Sequence, residues 1–231
     1  GSHSKFLDMT YACDGPIEFI KGVRTQLKAG ADFIKTNMCV SSTYDLNHPY
    51  KQEMSDDEIN AVCVEAKRQN VKVASHTSGC PSITTAVKSG IHSVEHGHWL
   101  NNETIDLMAE KNTFYVPTLL VNERNFEFEH DEKFTKSKNW LWLNLSRIAK
   151  WESIEKAIKS NLNIALGTDA GFMLPHGSMN YREMEYMIQG GMTNMQAIKS
   201  ATNIGGKLLD LNVGTIEKGQ QADILIIKGN P

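Results

Sequence analysis

Apolar positions along this chain switch repeatedly between helical spacing and short unbroken runs, always in the same order. Residues 15–29 carry helical spacing, with Asp14 or Gly15 as the cap, Pro16 in the first turn and Gly30 as the stop. The strand-like run Ala31-Asp32-Phe33-Ile34-Lys35-Thr36 follows. Ser55-Asp56-Asp57-Glu58 is a capping box that opens a helix to about Gln69; after Asn70 comes Val71-Lys72-Val73-Ala74-Ser75-His76. A helix over 82–88 ends at Ser89-Gly90 and feeds Ile91-His92-Ser93-Val94-Glu95-His96. Another, from Asn101 or Asn102 to Glu110, feeds Thr113-Phe114-Tyr115-Val116-Pro117-Thr118. A long helical stretch over about 131–160 feeds Asn163-Ile164-Ala165-Leu166-Gly167-Thr168-Asp169.

Short, β-branched, apolar strands are what a sheet covered on both faces requires, and strands joined through helices must run parallel. The pattern therefore predicts an α/β fold with five successive helix-then-strand passages. A Gly/Pro/His loop over 171–177 and helices over 180–189 and after Thr193 complete it. The charged stretch 123–138 reads as a solvated loop or helix face, and residues 221–227 read as a last strand.

Composition narrows the class. With 231 residues, 40% hydrophobic and 22% charged, the chain is an ordinary globular one rather than a disordered one. Lys+Arg of 24 against Asp+Glu of 27 leaves a net charge of −3, which speaks against nucleic-acid or anionic-membrane partners. No apolar run approaches the roughly 20 residues that span a bilayer. The cysteines Cys13, Cys39, Cys63 and Cys80 have neither zinc-finger spacing nor the density of a disulfide scaffold, which favours a reducing, cytoplasmic compartment. Gly1-Ser2-His3-Ser4 reads as the remnant of a cleaved tag.

Candidate chemistry sits where the strands stop. They finish in Lys35, His76, His96, Thr118 and Asp169, and C-terminal strand ends of parallel α/β folds share one ligand-binding face. Two imidazoles and a carboxylate there suit zinc, which takes His nitrogen and Asp oxygen. An ammonium is no ligand, but a Lys35 made neutral by burial can react with carbon dioxide to a carbamate able to bridge two metals. Taken singly, Lys35 can instead snorkel to solvent and each histidine can be an ordinary polar residue; it is their joint placement that favours a site.

At this point the sequence resembles the amidohydrolase superfamily, in its imidazolonepropionase-like and Xaa-Pro dipeptidase-like branches. The resemblance is carried by Gly30-Ala31-Asp32-Phe33-Ile34-Lys35, Val73-Ala74-Ser75-His76, Ser93-Val94-Glu95-His96-Gly97 and Gly167-Thr168-Asp169-Ala170-Gly171. Further matches are Pro175-His176-Gly177 with Asn180 and Glu183, Gly191-Met192-Thr193, and Gly214-Thr215-Ile216-Glu217-Lys218-Gly219 with Ala222-Asp223. It implies a (β/α)8 TIM barrel of which this chain carries strands four to eight, with Lys35 on the fourth, His76 on the fifth, His96 on the sixth and Asp169 on the eighth.

By the same resemblance 5–213 is a partial barrel and 214–231 a remnant of the family's C-terminal β-sandwich. The family's first-strand H-x-H pair has no counterpart here; the one similar pair, His96-Gly97-His98, belongs to the sixth strand. The implied reaction is hydrolysis of an amide bond by a metal-activated hydroxide, on a dipeptide such as Xaa-Pro or an N-acyl amino acid. An imidazolonepropionase-like cyclic amide is the alternative. Implied ligands to one or two zinc ions are Lys35 as carbamate, His76, His96 and Asp169, with Asp169 also catalytic. His98 and His176, in loops just beyond strand ends, and Tyr50, with Tyr44 in the loop after Lys35, are candidates for substrate contact.

Expected partners are a small-molecule or dipeptide substrate and a second copy of the chain, through open sheet edges. Two other classes stay open. One is an inert fragment with weak metal binding; the other is a phosphate-binding α/β protein, for which Gly190-Gly191 and Gly205-Gly206 would have to follow strands, and neither does.

Overall fold

A computed structural model describes residues 10–39, 51–127, 130–171 and 174–229 of the chain. The first two passages follow their end signals. Helix α1 spans Gly15–Lys28 and α2 Asp56–Arg68, where the Ser55 hydroxyl accepts from Glu58 N and the Glu58 carboxylate accepts from Ser55 N. The same carboxylate accepts from Gly15 N at 2.8 Å, so one side chain ties the starts of both helices. Strands β1 (Ile34–Asn37) and β2 (Val73–Gly79) pair parallel, Lys35 beside Ala74 and Asn37 beside His76.

Helix α3 (Cys80–Ser89) leads to β3 (Ser93–Trp99), and α4 (Asn102–Glu110), capped by the Asn101 side chain, leads to β4 (Phe114–Val116). The sheet order is β1-β2-β3-β4, all parallel, which a chain returning through a helix each time must produce. Ile34, Val73, Val94, Ile59, Ile83 and Ile105 form the core between this sheet and its helices. Alternation along the strands leaves Lys35, His76 and Glu95 on the other face, His76 and Glu95 being direct register partners.

Four expectations need correcting. The fifth strand is reduced to a single parallel bridge between Tyr115 and Ile164. Tyr115 N donates to Asn163 O and Ala165 N to Tyr115 O, but Leu166 N then turns to Ser200 O, which takes the segment off the sheet. The helical stretch over 131–160 is two helices, α6 (Glu132–Thr135) and α7 (Lys138–Lys159), with Ser137 capping the second through Trp140 N.

Stretch 123–138 is not wholly solvated. It includes the end of helix α5 (Leu119–Glu127), where Glu123 is buried and accepts from Arg147 Nε and Trp151 Nε1. Helices α8 (Asn180–Gln189), α9 (Asn194–Ala201) and α10 (Asn203–Leu209) close the order. Residues 221–227 form no strand, and Ile224 to Ile227 stand exposed. Without a partner to take its N–H and C=O groups, a β-branched run is not a strand.

Candidate metal centre

Strand ends set the site, and left-handed backbone aims it. Seven described residues other than glycine have positive φ. Four of them, Asn70, Asn112, Asn161 and Asp210, follow helices and belong to the types that adopt this conformation with little cost. The other three are His96 (73°), Thr118 (50°) and Asp169 (55°), each at the end of a predicted strand. Left-handed backbone at residues that pay for it, in segments following three of the predicted strands, points to a candidate site.

At His96 the consequence is direct. Its register partner is Thr77, so regular alternation would send the His96 ring to the face opposite His76. The left-handed turn instead brings the two rings to 4.3 Å between centroids. Behind them the Tyr115 hydroxyl lies 3.1 Å from the carbonyls of both His96 and Gly97, holding the turned backbone. A side chain at Gly97, φ 49°, would meet the Tyr115 ring at 2.7 Å.

Burial pushes the His76 imidazole down to about 3, and the nearby Lys35 and Lys150 charges act in the same direction. His96 is pushed well below the ordinary imidazole range by burial first and then by His76. Both rings are thereby neutral, the form that ligates a metal. His96 Nδ1 lies 2.8 Å from Thr118 Oγ1, which leaves Nε2 for a ligand. His76 Nε2 is buried and, among the described residues, has no hydrogen-bond partner. A buried unpartnered imidazole nitrogen beside a second neutral imidazole fits a cation such as zinc.

Lys35 shares this face and is exposed in β1. Burial lowers its ammonium pKa, while Glu95 and Asp169 work against that shift. Both carboxylates are therefore within electrostatic reach of Lys35, although Asp169 itself is exposed. Among the described residues no three His, Cys, Asp or Glu side chains close around one point, so two histidines are the assembled part. An open cleft of about 660 Å³ runs along β1 and is lined by Lys35, Asn37, Glu53, Met54 and His76.

The remaining candidates fall elsewhere. His98 is not in a loop: it lies in β3, buried, its ring stacked 6.0 Å from His96 and edge-on to Trp142 at 5.9 Å, with Nδ1 3.2 Å from Ser78 Oγ. His176 is exposed and packs against Gly171, where an added Cβ would come within 2.8 Å of Nε2. Tyr44 and Tyr50 lie outside the described residues.

Sequence reasoning missed the groups behind the histidines. Lys150, fully buried in α7, donates to Thr118 O (3.1 Å), Thr118 Oγ1 (3.2 Å) and Asn122 Oδ1 (2.6 Å). Glu183, fully buried in α8, accepts from Leu119 N and Leu120 N at the start of α5. Burial drives the Lys150 pKa down and the Glu183 pKa up, and each charge opposes the other's shift. A signal for Lys150 did exist: it falls on the stripe Trp142, Ser146, Ala149, Ser153 and Ala157 that α7 buries.

Residues 3–231 match the model of the amidohydrolase family. Ochratoxinase of Aspergillus niger is 32% identical over 223 residues, which is 94% of this chain and 45% of that protein. Its solved structure superposes with a TM-score of 0.84 at 30% identity, covering 95% of this chain and 49% of that one. A Xaa-Pro dipeptidase with methionine bound in its active site gives 0.83 at 33% identity, covering 95% and 54%. The chain thus spans about half the length of the relatives it matches. Matching along nearly its whole length, and with a parallel βα order and strand-end polar residues, the chain belongs to the amidohydrolase family.

Proposed function

We propose that this chain carries the zinc-holding face of a metal-dependent hydrolase of amide bonds, acting on a dipeptide such as Xaa-Pro or an N-acyl amino acid. The observation that carries the reading is the unpartnered, buried Nε2 of His76 beside the neutral His96 ring. His76 and His96 would hold the ion, with Lys35 as a carbamate and Asp169 as further ligands. A divalent ion there supplies acidification of water and polarisation of the scissile carbonyl. Asp169, exposed and left-handed in its backbone, takes the proton of the attacking water and delivers it to the leaving amine. Burial pulls the Lys35 ammonium pKa downward, against Glu95 and Asp169, in the direction that carbamate formation requires. Similarity to the Xaa-Pro dipeptidase supports the dipeptide class.

The test is zinc content after loading and desalting, with His76→Ala/His96→Ala as the control. About one zinc per chain, lost in the double variant, is expected. Zinc in neither protein, or equal zinc in both, overturns the reading. Bicarbonate should raise zinc occupancy in the wild type and not in Lys35→Arg; occupancy indifferent to bicarbonate would remove Lys35 from the ligand set.

A further inference from the structure

We propose that the solvent-facing side of α7 is a self-association surface, covered by α7 of a second copy of the chain lying antiparallel to it. Helix α7 buries Trp142, Ser146, Ala149, Ser153 and Ala157 on one side. Leu141, Leu145 and Ile148 lie on the opposite side and are 49%, 43% and 56% exposed. A helix that is apolar on two opposite sides needs cover on both, and among the described residues the second side has none. Three large aliphatic side chains on successive turns form a patch, whereas an exposed leucine standing singly calls for no partner.

Spacing and charge name the occupant as a second copy. Lys138, Leu141, Leu145, Ile148, Glu152 and Glu155 follow one another at alternating intervals of three and four residues, all exposed, which is the seam one helix offers another. That seam is basic at its start and acidic at its end. Two copies running in the same direction would set Lys138 against Lys138 and Glu152 against Glu152, like charge facing like. In the antiparallel register that sets Leu145 against the partner's Ile148, Lys138 falls opposite the partner's Glu155 and Leu141 opposite the partner's Glu152. A two-fold axis repeats each contact, so one stripe supplies both halves of the interface. Within the chain Lys156 and Lys159 approach Glu152 and Glu155 only to 4.0 and 3.9 Å, and in this register they run past the start of the partner helix. The surface lies on the side of α7 away from Trp142 and His98, so the pairing is independent of the zinc reading.

The test is sedimentation velocity of the full chain as its concentration rises, in the Leu225→Lys/Ile226→Lys background so that the exposed tail adds nothing. A monomer–dimer equilibrium is expected. Leu145→Lys exchanges one good helix former for another at an exposed position, so the fold should hold while the dissociation constant rises roughly tenfold or more. Lys138→Glu alone, and Glu152→Lys/Glu155→Lys alone, should each raise it about three- to tenfold. All three charge changes in one chain should restore the dimer, because antiparallel helices then meet with their signs exchanged. Circular dichroism checks that each variant keeps its helices. A chain that stays monomeric at every concentration, or a dimer indifferent to Leu145→Lys, overturns the proposal. Failure of the triple variant to restore the dimer overturns the antiparallel pairing.

Discussion

Gly97 shows how much of this site depends on single atoms. Its left-handed backbone and its contact with the Tyr115 ring exclude a side chain, so Gly97→Ala should destabilise the fold by about 1–3 kcal/mol in urea denaturation. The same substitution at Gly30, φ 96° with open space around it, isolates the backbone cost and should be milder. If both cost the same, packing on Tyr115 contributes nothing. His76, Lys35 and Asp169 are legible in the sequence because each falls at the end of an apolar run that reads as a strand. Glu95 is not, since on an alternating strand its neighbour His96 takes the attention and only the register puts Glu95 beside His76.

At the scale of elements, caps and breakers carry most of the information. Gly30, Gly90 and Asn101, and the Ser55 box, place helix boundaries within one or two residues, because end groups of a helix are satisfied locally. Ser55→Ala should cost about 1 kcal/mol. Glu58→Ala should cost more, because its carboxylate also accepts from Gly15 N and couples α1 to α2. Urea melts of the two variants check this; equal losses would mean the link between the helices is idle. The fifth strand and the tail were read wrongly for a common reason. Strand formation depends on a partner, and Leu166 N finds Ser200 O while residues 221–227 pair with no strand among the described residues.

For the whole molecule, the buried neutral histidines make stability depend on pH. An unfolded histidine protonates near pH 6.5, whereas His76 in the fold stays neutral down to about 3. The unfolded state binds more protons across that window, so stability is complete above about 6.5 and is lost as pH falls towards 3. For His76 alone the loss is about 2 kcal/mol at pH 5, read as a falling urea midpoint of the zinc-free chain. A midpoint flat from pH 7 to about 5 would show that His76 is accessible to protons in the fold.

The open sheet edge and the exposed apolar tail bear on association at the same scale. Strand β1 has one sheet partner among the described residues, and Leu225 and Ile226 are 83% and 92% exposed. Concentration-dependent association in sedimentation velocity should weaken in Leu225→Lys/Ile226→Lys. A variant that associates unchanged would shift attention to the β1 edge or to α7.

The sequence by itself determined the order of the first four βα units, the helix ends that carry caps or breakers, and the placement of Lys35, His76 and His96 on three successive strands. Those follow from local rules: caps, breakers and the periodicity that burial imposes. Tertiary structure alone decided that His96 turns back to face His76, that Thr118 and Lys150 stand behind it, and that the fifth strand leaves the sheet. Each of these joins residues distant in the chain, and the energy of a buried hydrogen bond or a strained φ is set by the partner that meets it, which no local pattern encodes.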